Sequence, residues 1–129
     1  MKKILCLSFL ILILANCNSK KLSPESDVKT WFAPCSSFSK DKDGYILGGC
    51  CYDVTIPSLV LNKNEPFHKK GMIRSRDNKG NYTETEVEVN GHLSPDGKNL
   101  YVSFVYNNNV VDHEFSIEES TMVCDCACF

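Results

Sequence analysis

The sequence predicts an all-β domain, a small antiparallel sandwich or partly open barrel of about six strands. Three observations carry this prediction. From Tyr82 to Leu93, Thr83, Thr85, Val87 and Val89 alternate with Glu84, Glu86 and Glu88, and a period of two puts one face in a core and the other in water. Turn-forming clusters punctuate the chain at Asp77-Asn78-Lys79-Gly80, at Ser94-Pro95-Asp96-Gly97 and at Asn107-Asn108-Asn109. Outside the signal-like amino terminus no helix pattern reaches two turns.

The 129 residues are enough for one ordinary domain. The formal net charge is −2, and it becomes −4 once Lys2 and Lys3 are set aside. That balance excludes a basic nucleic-acid binder, so no nucleic-acid partner is expected. The longest apolar run, Ile4 to Ala15, has 12 residues, 11 of them apolar. About 20 are needed to cross a bilayer as a helix.

Residues 1–16 read as a signal peptide: Lys2 and Lys3 form the positive start, and Ile4 to Ala15 has the length of a secretory apolar region. Leu14-Ala15-Asn16-Cys17 follows directly. This segment resembles the lipobox of bacterial lipoproteins, in the relaxed form of spirochaete lipoproteins, with Asn16 where Gly, Ala or Ser is usual. The resemblance covers residues 1–17 only. It implies cleavage before Cys17, a diacylglycerol thioether on the Cys17 sulfur and acylation of the new amine by fatty acids such as palmitate. It further implies a cell-envelope protein whose membrane partner is reached through those chains. Asn18 rather than Asp after Cys17 points to the outer membrane, facing either the surface or the periplasm. Two or three chains would make release slow, since each buried methylene contributes about 0.8 kcal/mol.

Residues 17–30 then form the lipidated cysteine and a polar tether, with Pro24 and no apolar period. Residues 31–129 form the β domain, which Trp31-Phe32 opens by packing on it or by offering an aromatic anchor to a partner. Tyr45 to Leu61 is apolar and β-branched, interrupted by Gly48-Gly49 and Pro57. It accounts for one or two strands, with Pro57 at an edge or bulge.

Met72 to Arg76 runs into the Asp77–Gly80 turn, whose glycine suits a left-handed position. Pairing Asp77 with Asn81 sets Arg74 opposite Glu84, Lys70 opposite Glu88 and Ile73 opposite Thr85, so charge and turn chemistry agree on one register. Across the Ser94–Lys98 turn, matched apolar faces set Leu93 opposite Leu100 and Val89 opposite Phe104, with a bulge at Gly97 as the variant. Asn108-Asn109 suit a type I′ turn. That turn would align Tyr106 with Val111, Val102 with Phe115, Leu100 with Ile117 and His113 with Phe104.

An exported chain oxidises its paired thiols. With Cys6 in the discarded segment and Cys17 acylated, Cys35, Cys50, Cys51, Cys124, Cys126 and Cys128 remain, and six cysteines allow 15 pairings. In an extended segment Cys124, Cys126 and Cys128 share one face with parallel Cβ vectors. Bridges are therefore expected from the early group to the late group, which leaves six pairings. A zinc or copper(I) site is the competing reading of these thiols. The usual Cys-x2-Cys spacing is absent from the mature sequence and the compartment is oxidising, so no metal and no cofactor are expected.

The three histidines carry no catalytic motif, and no GxSxG, HExxH or phosphate-cradling loop occurs. His113 reads as a core or rim histidine with one satisfied hydrogen bond, and no enzyme activity is expected. Charge is the remaining asymmetry. Residues 18–80 hold 11 basic and 7 acidic side chains, whereas residues 81–129 hold 1 basic and 9 acidic. Glu84, Glu86, Glu88, Asp112 and Glu114 form a candidate acidic patch for a cationic partner, against the plainer reading of a solvated face partly neutralised by Arg74 and Lys70. Weak calcium binding lacks an EF-hand loop to support it. The expected function is a non-catalytic binding or surface-interaction module for a protein or glycan. The alternatives are a structural envelope lipoprotein and a lipocalin-like small-ligand carrier.

Overall fold

A computed structural model describes residues 24–128. The predicted signal peptide, Cys17 and the first part of the predicted tether lie outside them. The fold is all-β and antiparallel, as expected, with eight strands rather than about six and a barrel that closes. The strands are β1 (Thr30–Ala33), β2 (Ser36–Asp41), β3 (Gly44–Gly48), β4 (Tyr52–Ile56), β5 (Pro66–Arg76), β6 (Tyr82–Leu93), β7 (Asn99–Tyr106) and β8 (Asn109–Ser116). Each pairs with its neighbour in sequence, and β1 pairs with β8. Eight strands fit a short chain because the first four have only 4 to 6 residues each. Two-residue connections, Pro34-Cys35 and Lys42-Asp43, help them fit. Cys35 and Lys42 take positive φ, 62° and 44°, to make these turns.

Strand direction alternates, so the barrel has two ends. Turns 34–35, 49–51, 77–81 and 107–108 lie at one, and turns 42–43, 57–65 and 94–98 at the other. Inward residues fill the interior, as expected for a barrel of this strand number. Trp31, Phe38, Leu47, Val54, Ile56, Val89, Leu93, Leu100 and Phe115 are fully buried. Phe38 stacks on Tyr45 with centroids 5.3 Å apart, and Trp31 meets Phe38 edge-on at 6.4 Å. Trp31 is thus a core residue and not a surface anchor. Its Nε1–H donates to the Gly97 carbonyl at 2.9 Å, tying β1 to the β6–β7 turn.

Two registers match the sequence expectation. Lys70 lies opposite Glu88, Ile73 opposite Thr85 and Arg74 opposite Glu84. Leu93 lies opposite Leu100 and Val89 opposite Phe104. At the first of these turns Asp77 Oδ1 accepts the Lys79 and Asn81 amides at 2.8 Å each. Gly80 takes the left-handed φ of 82°. The last hairpin differs by two residues: Asn107 and Asn108 are the turn, with φ of 50° and 61°. Tyr106 therefore faces Asn109, Leu100 faces Phe115 and Val102 faces His113. A shift of two preserves the inward face, so apolar matching could not distinguish the alternatives.

At the 57–65 end the barrel is plugged by its own chain. Pro57 ends β4, and the following loop buries Leu59 and Leu61. Pro24 to Val28, the end of the predicted tether, is strapped onto that loop. Ser26 N–H donates to the Leu61 carbonyl at 2.8 Å and Lys63 N–H to the Pro24 carbonyl at 2.9 Å. Ser26 is buried and Val28 packs on the core, so these residues belong to the folded unit.

The other end is held covalently. After Ser116 the chain returns to it as a largely exposed tail in which Val123 is 95% exposed. Bridges join Cys35 to Cys124, Cys50 to Cys126 and Cys51 to Cys128. Every bridge joins the early group to the late one, as expected. The linked residues are 89, 76 and 77 apart. In the chain-entropy model each such closure stabilises by about 4 kcal/mol, and the three are not additive.

Candidate functional site

The five carboxylates of the predicted patch all lie on the outward face of the β5–β8 sheet, but they do not form one cluster. Outward rows run across the strands. Lys70, Glu88, Val105 and Val110 form one, and His68, Asn90, Ser103 and Asp112 form the next. Glu88 thus lies one row from Asp112 with β7 between them, and Glu84 and Glu86 lie further off. Val105 and Val110 are 59% and 68% exposed.

On β6 the carboxylates meet basic neighbours. Lys70 Nζ lies 3.2 Å from Glu86 Oε1, and His68 Nε2 lies 3.7 Å from Glu88 Oε2. These contacts are diagonal: Lys70 is paired in register with Glu88 but reaches Glu86. Arg74, in register with Glu84, instead lays its guanidinium 3.9 Å above the Tyr82 ring. All these side chains are exposed, so each pair contributes at most about 1 kcal/mol.

On β8 the setting differs. Asp112 and Glu114 border a groove of 520 Å³ whose other outward walls are Asn90, Tyr101 and Ser103. Gly91, Val102 and His113, at inward-facing positions of their strands, complete the lining. The lining holds no Lys or Arg, a direct consequence of a sequence with only Lys98 as a basic residue after residue 80. Gly91 serves the packing below: a Cβ there would meet the Phe67 ring and the Tyr101 carbonyl. The arrangement offers carboxylates, amide and hydroxyl groups and one aromatic face, a set suited to recognition.

Beneath the groove, His113 is half-buried inside the barrel. Its ring stacks on Phe115 at 5.3 Å and Phe104 at 6.4 Å, and Nε2 lies 2.7 Å from the Tyr52 hydroxyl. Burial lowers the His113 pKa, and the neighbouring Asp112 opposes the shift. Burial raises that of Tyr52. A neutral imidazole accepting the Tyr52 O–H is the form these shifts favour. This matches the expectation of a histidine with one satisfied hydrogen bond; the partner, Tyr52, has no signal in the sequence. His68 is exposed and bonds Asn90, while His92 sits opposite Tyr101.

Among the described residues, no group of three or more His, Cys, Asp or Glu side chains is arranged to hold a metal. No helix among them is long and apolar enough to cross a membrane. No family model, curated protein or solved structure matches the chain.

Proposed function

We propose that this protein is a lipid-anchored lipoprotein of the cell envelope, most simply of the outer membrane, whose barrel is a non-catalytic binding module. The observation that carries the reading is the filled interior. Trp31, Phe38, Tyr45, Leu47, Ile73, Phe104 and Phe115 occupy the space that a small-ligand carrier would keep for its cargo. Recognition then falls to the outside, and the β6–β8 groove combines an aromatic face with two carboxylates and no Lys or Arg in its lining. A protein surface bearing cationic side chains fits that groove. A glycan, stacking on Tyr101 and bonded by Asn90 and Asp112, is the other partner class it suits. The Cys17 lipobox supplies the anchor.

Two measurements test the reading. Metabolic labelling with an alkyne-bearing palmitate should mark the chain, and Cys17→Ala should abolish the mark. In amide shift mapping, a short oligolysine or an oligosaccharide should move Asn90, Tyr101, Ser103, Asp112 and Glu114. A fatty acid that instead moves Leu47, Val54 and Ile73 would make the barrel a carrier and end the proposal.

A further inference from the structure

The barrel closes through a narrow seam. β1 and β8 share a single register pair, Phe32 with Ser116. The residue that would next pair with Glu114 is Pro34, which has no N–H to give, and β1 ends before it at Ala33. The sequence itself therefore confines the seam to the last residues of β8.

The backbone of β8 shows which groups this leaves. Ile117 N–H donates to the Lys98 carbonyl on the β7 side. Alternate residues of an antiparallel strand turn their backbone groups to alternate edges. Odd-numbered residues of β8 thus face β7, and Val110, Asp112, Glu114 and Ser116 face the other edge. Ser116 is taken by Phe32. Among the described residues, no backbone hydrogen bond reaches Val110, Asp112 or Glu114 from that side. The same three residues carry the outward side chains of β8, and all three are exposed.

We propose that this open edge of β8 binds an extended basic segment of a partner protein by strand addition. Main-chain bonds would supply affinity and alternate side chains selectivity. The occupant is argued from charge. A second copy pairing antiparallel through the same edge, centred between Asp112 and Glu114, would set each of these carboxylates against the other's counterpart, and like charges directly opposite are destabilising. A strand with Lys or Arg at two alternate positions meets both carboxylates. Laid antiparallel, along the line that β1 abandons at Pro34, it reads basic, any, basic, any, β-branched. Its first basic residue faces Glu114, the second Asp112, and the β-branched residue packs on Val110. The stems of the basic residues lie along the groove beside Tyr101. The inference deepens the binding reading above and rests on it.

The test uses the full lipidated chain in detergent micelles and an acetylated probe peptide, threonine-lysine-threonine-lysine-threonine-valine-threonine. Hydrogen exchange should slow at the amides of Val110, Asp112 and Glu114 when the peptide binds. A peptide with glutamate for lysine should give no protection. Asp112→Asn with Glu114→Gln should weaken binding about threefold to tenfold, as expected for the loss of two cross-strand charge pairs. Val110→Pro, which removes an edge donor and leaves the β7 ladder intact, should weaken it as well. Unchanged thermal melting of the variants verifies the fold.

Binding that shifts Tyr101 and Ser103 without protecting β8 would overturn strand addition and leave the binding module standing. Failure of the peptide to bind anywhere would overturn strand addition, and the binding module would fall with it only if an oligosaccharide also left the groove unshifted. Protection of the three amides before any peptide is added would also overturn the proposal. In a dimer it would assign the edge to a second copy, and in a monomer to the chain's own residues before Pro24.

Discussion

The two ends of the barrel are closed by different means. At the 57–65 end the closure is apolar and hydrogen-bonded: Leu59 and Leu61 enter the core, Ser26 bonds the Leu61 carbonyl, and Trp31 bonds the Gly97 carbonyl. At the other end three bridges hold a tail in which Met122 and Val123 are 61% and 95% exposed. Covalent closure does there what burial does at the opposite end. A domain of about 100 residues has too little apolar surface to seal every opening by packing, and disulfides relieve that shortage.

The contrast breaks in a definite order. Leu61→Ala should have the largest effect, about 2–5 kcal/mol by chemical denaturation, because it opens a cavity where no covalent bridge supports the packing. Replacing one bridge, Cys35→Ser with Cys124→Ser, should cost about 2–4 kcal/mol. Hydrogen exchange should then quicken at the 34–35 and 49–51 turns and leave Leu59–Leu61 unchanged. Equal loosening at both ends would show that the ends do not act separately.

A smaller effect of opposite sign is expected at Tyr45. Its hydroxyl is buried without a hydrogen-bond partner, and burial, followed by the nearby Glu25 charge, raises its pKa. Tyr45→Phe should stabilise by about 1 kcal/mol, read as a higher melting temperature. The smallest effect is the pH dependence at His113. Its pKa is lowered in the fold by burial, so the unfolded chain binds its proton at a higher pH than the folded one. The stabilising contribution is present above the ordinary histidine pKa of about 6.5 and is lost as pH falls through the folded value. Melting between pH 7 and 5 should fall less in His113→Gln than in the parent.

The second half of the fold was legible in the sequence because its signals reinforce one another. The Tyr82–Leu93 alternation, the Asp77 turn and the charge pairing of Lys70 and Arg74 fix a single register between β5 and β6, and the Ser94 turn with matched apolar faces fixes that between β6 and β7. The Asn107–Asn109 run contained two equivalent turns, and asparagine accepts positive φ at any of its positions. Sequence could not choose there. The first half was poorly legible. β1 and β2 have 4 and 6 residues, too few for a period to stand out. Yet Asp41-Lys42-Asp43-Gly44 resembles the Asp77–Gly80 cluster, and Trp31, Ala33 and Phe38 keep the inward alternation. Those signals could have located both strands. The groove was half-visible: Asp112 and Glu114 were found as charges, while Asn90, Tyr101 and Ser103 join them only through register. The open edge was hidden, because Pro34 gains its meaning from a strand 80 residues later.

The strap at Pro24–Val28 has a consequence for posture. It enters the fold beside Leu61 and Asn62, so the chain leaves the barrel at the plugged end. Pro24 lies seven positions after Cys17, a contour of at most about 25 Å. A protein tethered by Cys17 would stand with its plugged end down, close to the lipid headgroups, and its disulfide-bonded crown uppermost. The β8 edge would then run upright along the flank, within reach of molecules approaching from the side.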